Sequence, residues 1–303
     1  MIQFIKIIIL PAILLLGVLF ISSQNEYNTN DTFLLERTDS TSIRIAFLGD
    51  AEPKPLAEFP HMAAAVEHIN SLEETMNIDF VIGVGDIAHK GTEIQYEAAT
   101  EVLQNLSLPF YPIMGNEEHG SSVERYLYYA EKWNSELEAT RYTKEFDQVA
   151  FVFASPDHGR DFDDNGATWI LEQIKRLAPK PVMLVVHGAQ TGVYPENSDK
   201  GIHNELFREQ VVSQPNLAAV ISGDLHMDMD RVNHSKKIDH VHYLHIPALE
   251  RTKIPDETNH TPMIRIMTIT YDRLVHIDTY EVGKMNPREE HTYSFNLPLE
   301  PVR

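Results

Sequence analysis

Five stretches decide the fold: Ile43 to Asp50 (IRIAFLGD), Phe80 to Asp86 (FVIGVGD), Phe110 to Asn116 (FYPIMGN), Val182 to His187 (VMLVVH) and Leu217 to His226 (LAAVISGDLH). Each is a short, nearly continuous apolar run of strand length, the pattern of a strand buried on both faces of a sheet. Each also ends in a polar residue able to bind a metal ion. Glycines precede Asp50, Asp86, Asn116 and Asp224, where the backbone must turn sharply so that the next side chain points back over the strand end.

Stretches with helical spacing separate the runs. His61 to Met76 is alanine-rich and amphipathic, Glu93 to Leu106 follows a capping box at Thr92 and Gln95, and Thr168 to Leu177 directly precedes the fourth run. Strands alternating with helices predict a mainly parallel sheet with right-handed crossovers, whose ligands bind beyond the carboxyl ends of the strands. Five segments would therefore converge on one edge. Phe151 to Ala154, and Met263 to Val282 alternating about a turn near Asp272, read as antiparallel strands and predict a second sheet packed on the first.

The whole chain of 303 residues carries 25 Lys+Arg against 45 Asp+Glu, a net charge of −20. That balance disfavours nucleic acid as a partner. The absence of cysteine excludes disulfides, thiolate metal sites and cysteine nucleophiles. Residues 1–23 contain an apolar segment from Ile7 to Ile21, with Lys6 before it and Glu26 and Asp31 after it. They read as a signal peptide or membrane anchor that leaves the rest of the chain extracytoplasmic: periplasmic, secreted or anchored with the domain outside. Residues 24–42 read as a polar linker, 43–286 as the folded domain and 287–303 as an irregular tail.

Asp50, Glu52, Asp86, Asn116, His187, Asp224 and His226 together offer four carboxylates, one amide oxygen and two imidazoles. This donor set suits two cations, with Mn, Fe, Zn or Mg as fitting metals. Without cations, so many carboxylates at one edge would repel strongly.

The motifs Gly49-Asp50-Ala51-Glu52, Gly85-Asp86 through His89-Lys90-Gly91, Gly115-Asn116-Glu117-Glu118, Val186-His187 and Gly223-Asp224-Leu225-His226 resemble, in order and spacing, those of the calcineurin-like metallophosphoesterases. The resemblance implies a four-layer α-β-β-α sandwich of mixed, mainly parallel sheets flanked by helices. It implies two divalent or trivalent ions, Mn, Fe or Zn, with Asp50 and His226 on the first, Asp86 bridging, and Asn116 and His187 on the second. The implied chemistry is hydrolysis of phosphomonoesters or phosphodiesters, of a small molecule or a phosphoprotein, through a hydroxide held at the two-metal centre. Asn116 and the residue after it would serve catalysis, and Glu118 would orient ligands. Three positions depart from the family pattern, each placing an acidic residue where the family has histidine: Glu52, Glu117 and Asp224. Glu117 can act as an acid only with a raised pKa, and His119 is the candidate substitute. The departures keep a second reading open, a catalytically degenerate relative acting as a binding module.

Other features receive plainer readings. Gly83-Val84-Gly85-Asp86-Ile87-Ala88 nominally matches a dinucleotide fingerprint, but Asp86 would repel pyrophosphate. Asp228 and Asp230 read as a solvated face of a continuing strand, and Met227 and Met229 as core. His234, His240, His242 and His245 read as surface or loop histidines, with His245 the best placed to support a ligand. His89 is either a phosphate contact or a helix-entry residue. Tyr126, Tyr128 and Tyr129 read as packing groups.

Overall fold

The computed structural model describes residues 32–34, 42–194, 199–257 and 259–298. The leader and most of the expected linker lie outside them. Among the described residues no helix is long and apolar enough to cross a membrane.

The strands are β1 (Thr32–Leu34), β2 (Ile43–Leu48), β3 (Phe80–Gly83), β4 (Phe110–Pro112), β5 (Arg141–Glu145), β6 (Ala150–Ala154), β7 (Val182–Val186), β8 (Leu217–Ser222), β9 (Ser235–Ile238), β10 (Val241–His245), β11 (Met263–Ile269), β12 (Leu274–Glu281) and β13 (Tyr293–Asn296). The helices are α1 (Pro60–Met76), α2 (Glu93–Leu103), α3 (Val123–Trp133) and α4 (Asp164–Leu177). Two sheets form, in the orders β1-β5-β6-β7-β8-β10-β9 and β13-β12-β11-β2-β3-β4. The five expected strands are thus divided, β2, β3 and β4 in one sheet and β7 and β8 in the other. Within each group they run parallel, so their carboxyl ends meet along an edge that the two sheets share.

Period-two alternation explains the layering. Ile43, Ile45, Phe47, Phe80 and Ile82 face Phe151, Phe153, Met183 and Val185 in a core between the sheets. The alternate residues Ala46, Leu48 and Val81 face Met62, Val66, Ile69 and Leu72 of α1. On the other side, Val182, Leu184 and Val186 face Ile170, Leu171 and Ile174 of α4. The result is the four-layer α-β-β-α sandwich implied by the resemblance. Helix α1 opens with proline in its first turn and closes with Asn77 at φ 53°, whose N–H reaches the Glu73 carbonyl. At α4, the Asp163 carboxylate caps the Gly166 N–H at 2.8 Å.

Several local expectations are corrected. The capping box at α2 does not form: the Thr92 hydroxyl turns back to the His89 carbonyl and Gln95 reaches the Pro53 carbonyl, so loop anchoring wins over the helix end. The helix stops at Leu103, three residues before Leu106. Part of the expected linker is strand, since β1 pairs in parallel with β5. The tail is not irregular either: β13 adds to the edge of β12, and Phe295 stacks on His242 with ring centroids 3.8 Å apart. Its two-residue alternation was too short to register against the surrounding prolines and charges. The hairpin expected about Asp272 forms between β11 and β12.

Phe295 is 7% exposed. Phe295→Ala should therefore lower the unfolding free energy by about 3 kcal/mol in a urea titration followed by circular dichroism; a change within about 0.5 kcal/mol would show that the tail does not contribute to the core.

Candidate metal centre

Three turns after β2, β3 and β4 and two after β7 and β8 deliver the candidate side chains. Asp50 (φ 37°), Asp86 (φ 51°), Asp224 (φ 74°) and His226 (φ 47°) all occupy the left-handed region, which side chains other than glycine enter only when surrounding contacts impose it. Two glycines make room for this. A Cβ on Gly115 would lie 2.2 Å from Asp86 Oδ1, and one on Gly223 would lie 2.7 Å from Asp50 Oδ2.

The turns are held by buried hydrogen bonds. Glu118 Oε1 accepts from the backbone N–H groups of Ile87 and Ala88 at 2.8 and 2.7 Å, and Oε2 from those of Asp86 and Gly115 at 3.0 and 2.7 Å. One carboxylate therefore fixes the turns after β3 and β4 together, the orienting role expected of it. Burial raises its pKa to about 7, and the nearby Asp86 charge adds to that, against the lowering by the amides. The Asp224 N–H donates to both oxygens of Asp50 at 3.0 Å, joining the turns after β2 and β8 across the two sheets.

Both histidines present one defined nitrogen. His187 Nδ1 lies 2.8 Å from the Val84 carbonyl and His226 Nδ1 lies 2.9 Å from the Arg251 carbonyl. A carbonyl only accepts, so each Nδ1 carries a proton and each Nε2 is the nitrogen that faces inward. Burial would lower the His187 pKa, but Asp86, Asp224 and Asp50 outweigh it and raise it well above its ordinary value. Potential ligand atoms of Asp50, Glu52 and His226 lie within 4.8 Å of one another, as do those of Asp50, Asp86 and His187. Asn116 Oδ1 is 3.3 Å from His187 Nε2.

The structure thus assembles Asp50, Glu52, Asp86, Asn116, His187 and His226. It brings Asp224 to the same place, 3.7 Å from His187 Nε2, but both its oxygens take a 2.6 Å bond from Arg160 Nε. Glu117 groups with Glu52 and Asp86, and its carboxylate meets Lys54 Nζ at 2.6 Å, His89 Nδ1 at 2.7 Å and the Lys90 N–H at 3.0 Å. Burial would raise the Glu117 pKa, but the bonds from Lys54 and Lys90 outweigh it and hold the group below its ordinary value. That is the opposite of what an acid needs. His119 turns away, its Nε2 3.1 Å from the Pro156 carbonyl.

The donor set fits cations on a direct observation. Glu52 is 1% exposed, and apart from the ion-pair contact with Lys54 Nζ at 3.2 Å, neither of its oxygens has a hydrogen-bond donor. Buried carboxylate oxygens without donors are costly unless a cation sits on them. The titration pattern agrees. Burial, with added repulsion from Asp86, raises Asp50 to about 8 and pushes Glu52 well above its ordinary range. Asp86, which burial alone would raise, is held at about 2 chiefly by His187.

A family model for calcineurin-like phosphoesterases matches residues 43–228. The chain belongs to the calcineurin-like phosphoesterase family. A probable glycerophosphodiester phosphodiesterase (GpdQ) of Arcobacter nitrofigilis is 24% identical over 135 residues, 44% of this chain and 49% of that relative, so the chain spans about half the relative's length. Among solved structures, a dimetal phosphatase from Danio rerio superposes with a TM-score of 0.62 at 10% identity, covering 84% of this chain and 99% of that one. GAP50, the anchor in the inner membrane complex of Plasmodium, superposes with a TM-score of 0.62 at 9% identity over 86% and 90%. At these identities the two likenesses establish the shared metallophosphoesterase fold.

Lys54, Arg160, Arg251 and Lys253 surround the centre in this metallophosphoesterase, and none was singled out in the sequence. Only the first carried a signal, standing two residues after Glu52. The histidine cluster is also corrected: His234, His242 and His245 are 2%, 8% and 0% exposed, because Phe295 of β13 stacks on His242 and the buried Arg265 of β11 donates to the His234 and His245 carbonyls. His245 Nε2 accepts from the Leu225 N–H at 3.3 Å, which supports the turn between Asp224 and His226. Strand β8 ends at Ser222, so Asp228 and Asp230 do not continue it. Asp228 pairs with Arg231, and Asp230 with Arg288 and His291, while Met227 and Met229 are core as expected. His89 is a helix-entry residue bound to Glu117. Tyr126 and Tyr129 pack in the core and Tyr128 is 56% exposed.

Glu118→Gln replaces two amide-accepting oxygens by one, turning an NH2 group toward backbone donors. It should lower stability by about 2 to 4 kcal/mol and weaken metal affinity about 10- to 100-fold, read by chemical denaturation and metal-loading calorimetry. Burial holds His234 at about 3, below the value near 6.5 of an unfolded histidine. Protons then favour the unfolded chain, so its contribution is complete above pH 6.5 and is lost as pH falls toward 3. The stability advantage of wild type over His234→Gln should shrink by about 1.4 kcal/mol per pH unit below pH 6, measured by urea titrations from pH 8 to 5.

Proposed function

We propose that this metallophosphoesterase is an extracytoplasmic hydrolase of phosphomonoesters or phosphodiesters working at a two-metal centre. The buried carboxylate of Glu52, whose one polar partner within hydrogen-bond distance among the described residues is the Lys54 ammonium 3.2 Å from Oε1 and whose Oε1 stands 3.9 Å from the inward Nε2 of His226, carries the reading. Asp50, Glu52 and His226 would hold one ion, and Asp86, Asn116 and His187 the other, with Asp50 and Asp86 placed to reach between them. When bound, the two ions supply Lewis acidity, polarising a phosphoryl oxygen and lowering the pKa of the attacking water. The chain's own residues do the rest. Val84 and Arg251 carbonyls keep each imidazole in the ligating tautomer. Glu118 and the Asp50–Asp224 contact hold the turns rigid, so the ligands need little rearrangement on binding. Lys54 remains cationic between Glu52 and Glu117, where the family has a histidine, and can stabilise charge on the leaving oxygen. The apolar leader from Ile7 to Ile21 supports the location outside the cytoplasm.

A second reading has its own support. Glu117 is held ionised and His119 faces Pro156, so neither supplies a proton, and the domain could serve as a metal-stabilised binding module. Hydrolysis of p-nitrophenyl phosphate and bis-p-nitrophenyl phosphate separates them, using protein stripped of metal and reloaded with Mn, Zn or Fe. Turnover should return with metal and fall at least about 100-fold in Asp86→Ala. Folded protein that loads fewer than two ions and turns over neither ester establishes the binding module.

A further inference from the structure

The loop after β10 is fastened to the ligand-bearing turn. His226 Nδ1 bonds the Arg251 carbonyl at 2.9 Å, the Lys253 N–H donates to the His226 carbonyl at 2.8 Å, and the Asp228 N–H donates to the Ile254 carbonyl at 2.9 Å. The loop therefore holds Arg251 and Lys253 in fixed relation to the metal centre. Arg251 Nη2 approaches Glu52 Oε1 only to 3.9 Å, beyond hydrogen-bond distance, and its side chain is 33% exposed. Lys253 is exposed, and among the described residues it has no ion-pair partner.

Charge balance gives these two cations a role. Six carboxylates crowd the centre: Asp50, Glu52, Asp86, Glu117, Glu118 and Asp224. Lys54 neutralises Glu117 and Arg160 neutralises Asp224, leaving four negative charges, which two divalent ions would cancel. Arg251 and Lys253, solvent-accessible and tied through their backbone to His226, then remain as two uncompensated positive charges beside the centre. A phosphomonoester above its second pKa, near 6, carries close to two negative charges, whereas a diester carries one.

We propose that Arg251 and Lys253 form an anion clamp that selects substrates whose scissile phosphate is a dianion, so that phosphomonoesters are the preferred class. The inference rests on the two-metal reading above. Inorganic phosphate, a dianion at pH 8, is the probe, titrated calorimetrically into the manganese-loaded protein with metal content verified. Arg251→Met and Lys253→Met should each weaken phosphate binding about tenfold, while Arg251→Lys and Lys253→Arg stay within about threefold of wild type because they keep the charge. In parallel assays, both Met variants should raise KM for p-nitrophenyl phosphate by a similar factor and leave that for the bis ester within about threefold. Unchanged phosphate affinity, or equal losses for both esters, overturns the clamp. If wild type hydrolyses neither ester the hydrolase reading falls, and the phosphate titration still decides the clamp.

Discussion

The carboxylate of Glu118, buried and accepting four backbone N–H groups from two turns, is the contact on which the centre depends. The turn after β3 must put Asp86 into a left-handed conformation, and the turn after β4 must bring Gly115 within contact of Asp86 and His187. Neither arrangement is favourable for an isolated chain. An anion that fills the concavity formed by the amides repays that strain, since charge-assisted bonds to backbone N–H groups are among the stronger ones available in a protein interior. The same logic recurs where Asp50 receives the Asp224 N–H with both oxygens. A carboxylate after one strand thus organises the turn after another, and the second contact ties the two sheets together at their common edge.

The three acidic replacements form an ordered set. Each carboxylate that stands where the family has histidine is matched by a nearby cation: Lys54 lies between Glu52 and Glu117, and Arg160 grips Asp224. Replacing a neutral ligand by an anion makes a buried cluster harder to ionise, and a fixed ammonium or guanidinium offsets that cost. Compensation of this kind differs from decay, in which ligand atoms are lost outright. It also moves function: a carboxylate pinned by Lys54 and the Lys90 amide has its proton affinity lowered, so the positive charge at that corner comes from lysine.

Much of this was legible in the order of residues. The buried runs, their terminal glycines and polar residues, and the intervening helices identified the strands to within a few residues, because burial on both faces imposes a continuous apolar pattern. The donor set was legible for the same reason, since each donor follows a run directly. Arg160, Arg251 and Lys253 were not, because they sit on connections whose path across the strand ends depends on how the sandwich closes. His234, His242 and His245 read as loop histidines because their strands are short and polar in sequence, and only the packing of β9 and β10 beneath the C-terminal hairpin buries them.

The sequence by itself determined the five strands that lead into the centre, where their candidate ligands stand and that the donor atoms on offer are oxygen and imidazole, because those features are local: a period, a glycine, an adjacent donor. The tertiary structure alone decided how the five strands divide between two sheets, which nitrogen of each histidine faces inward and which cations meet which carboxylates. Those outcomes depend on contacts between residues far apart in the chain, as Asp50 with Asp224, His187 with Val84, Lys54 with Glu117 and Arg160 with Asp224, and no local pattern encodes the distance that closing the sandwich brings to a few ångströms.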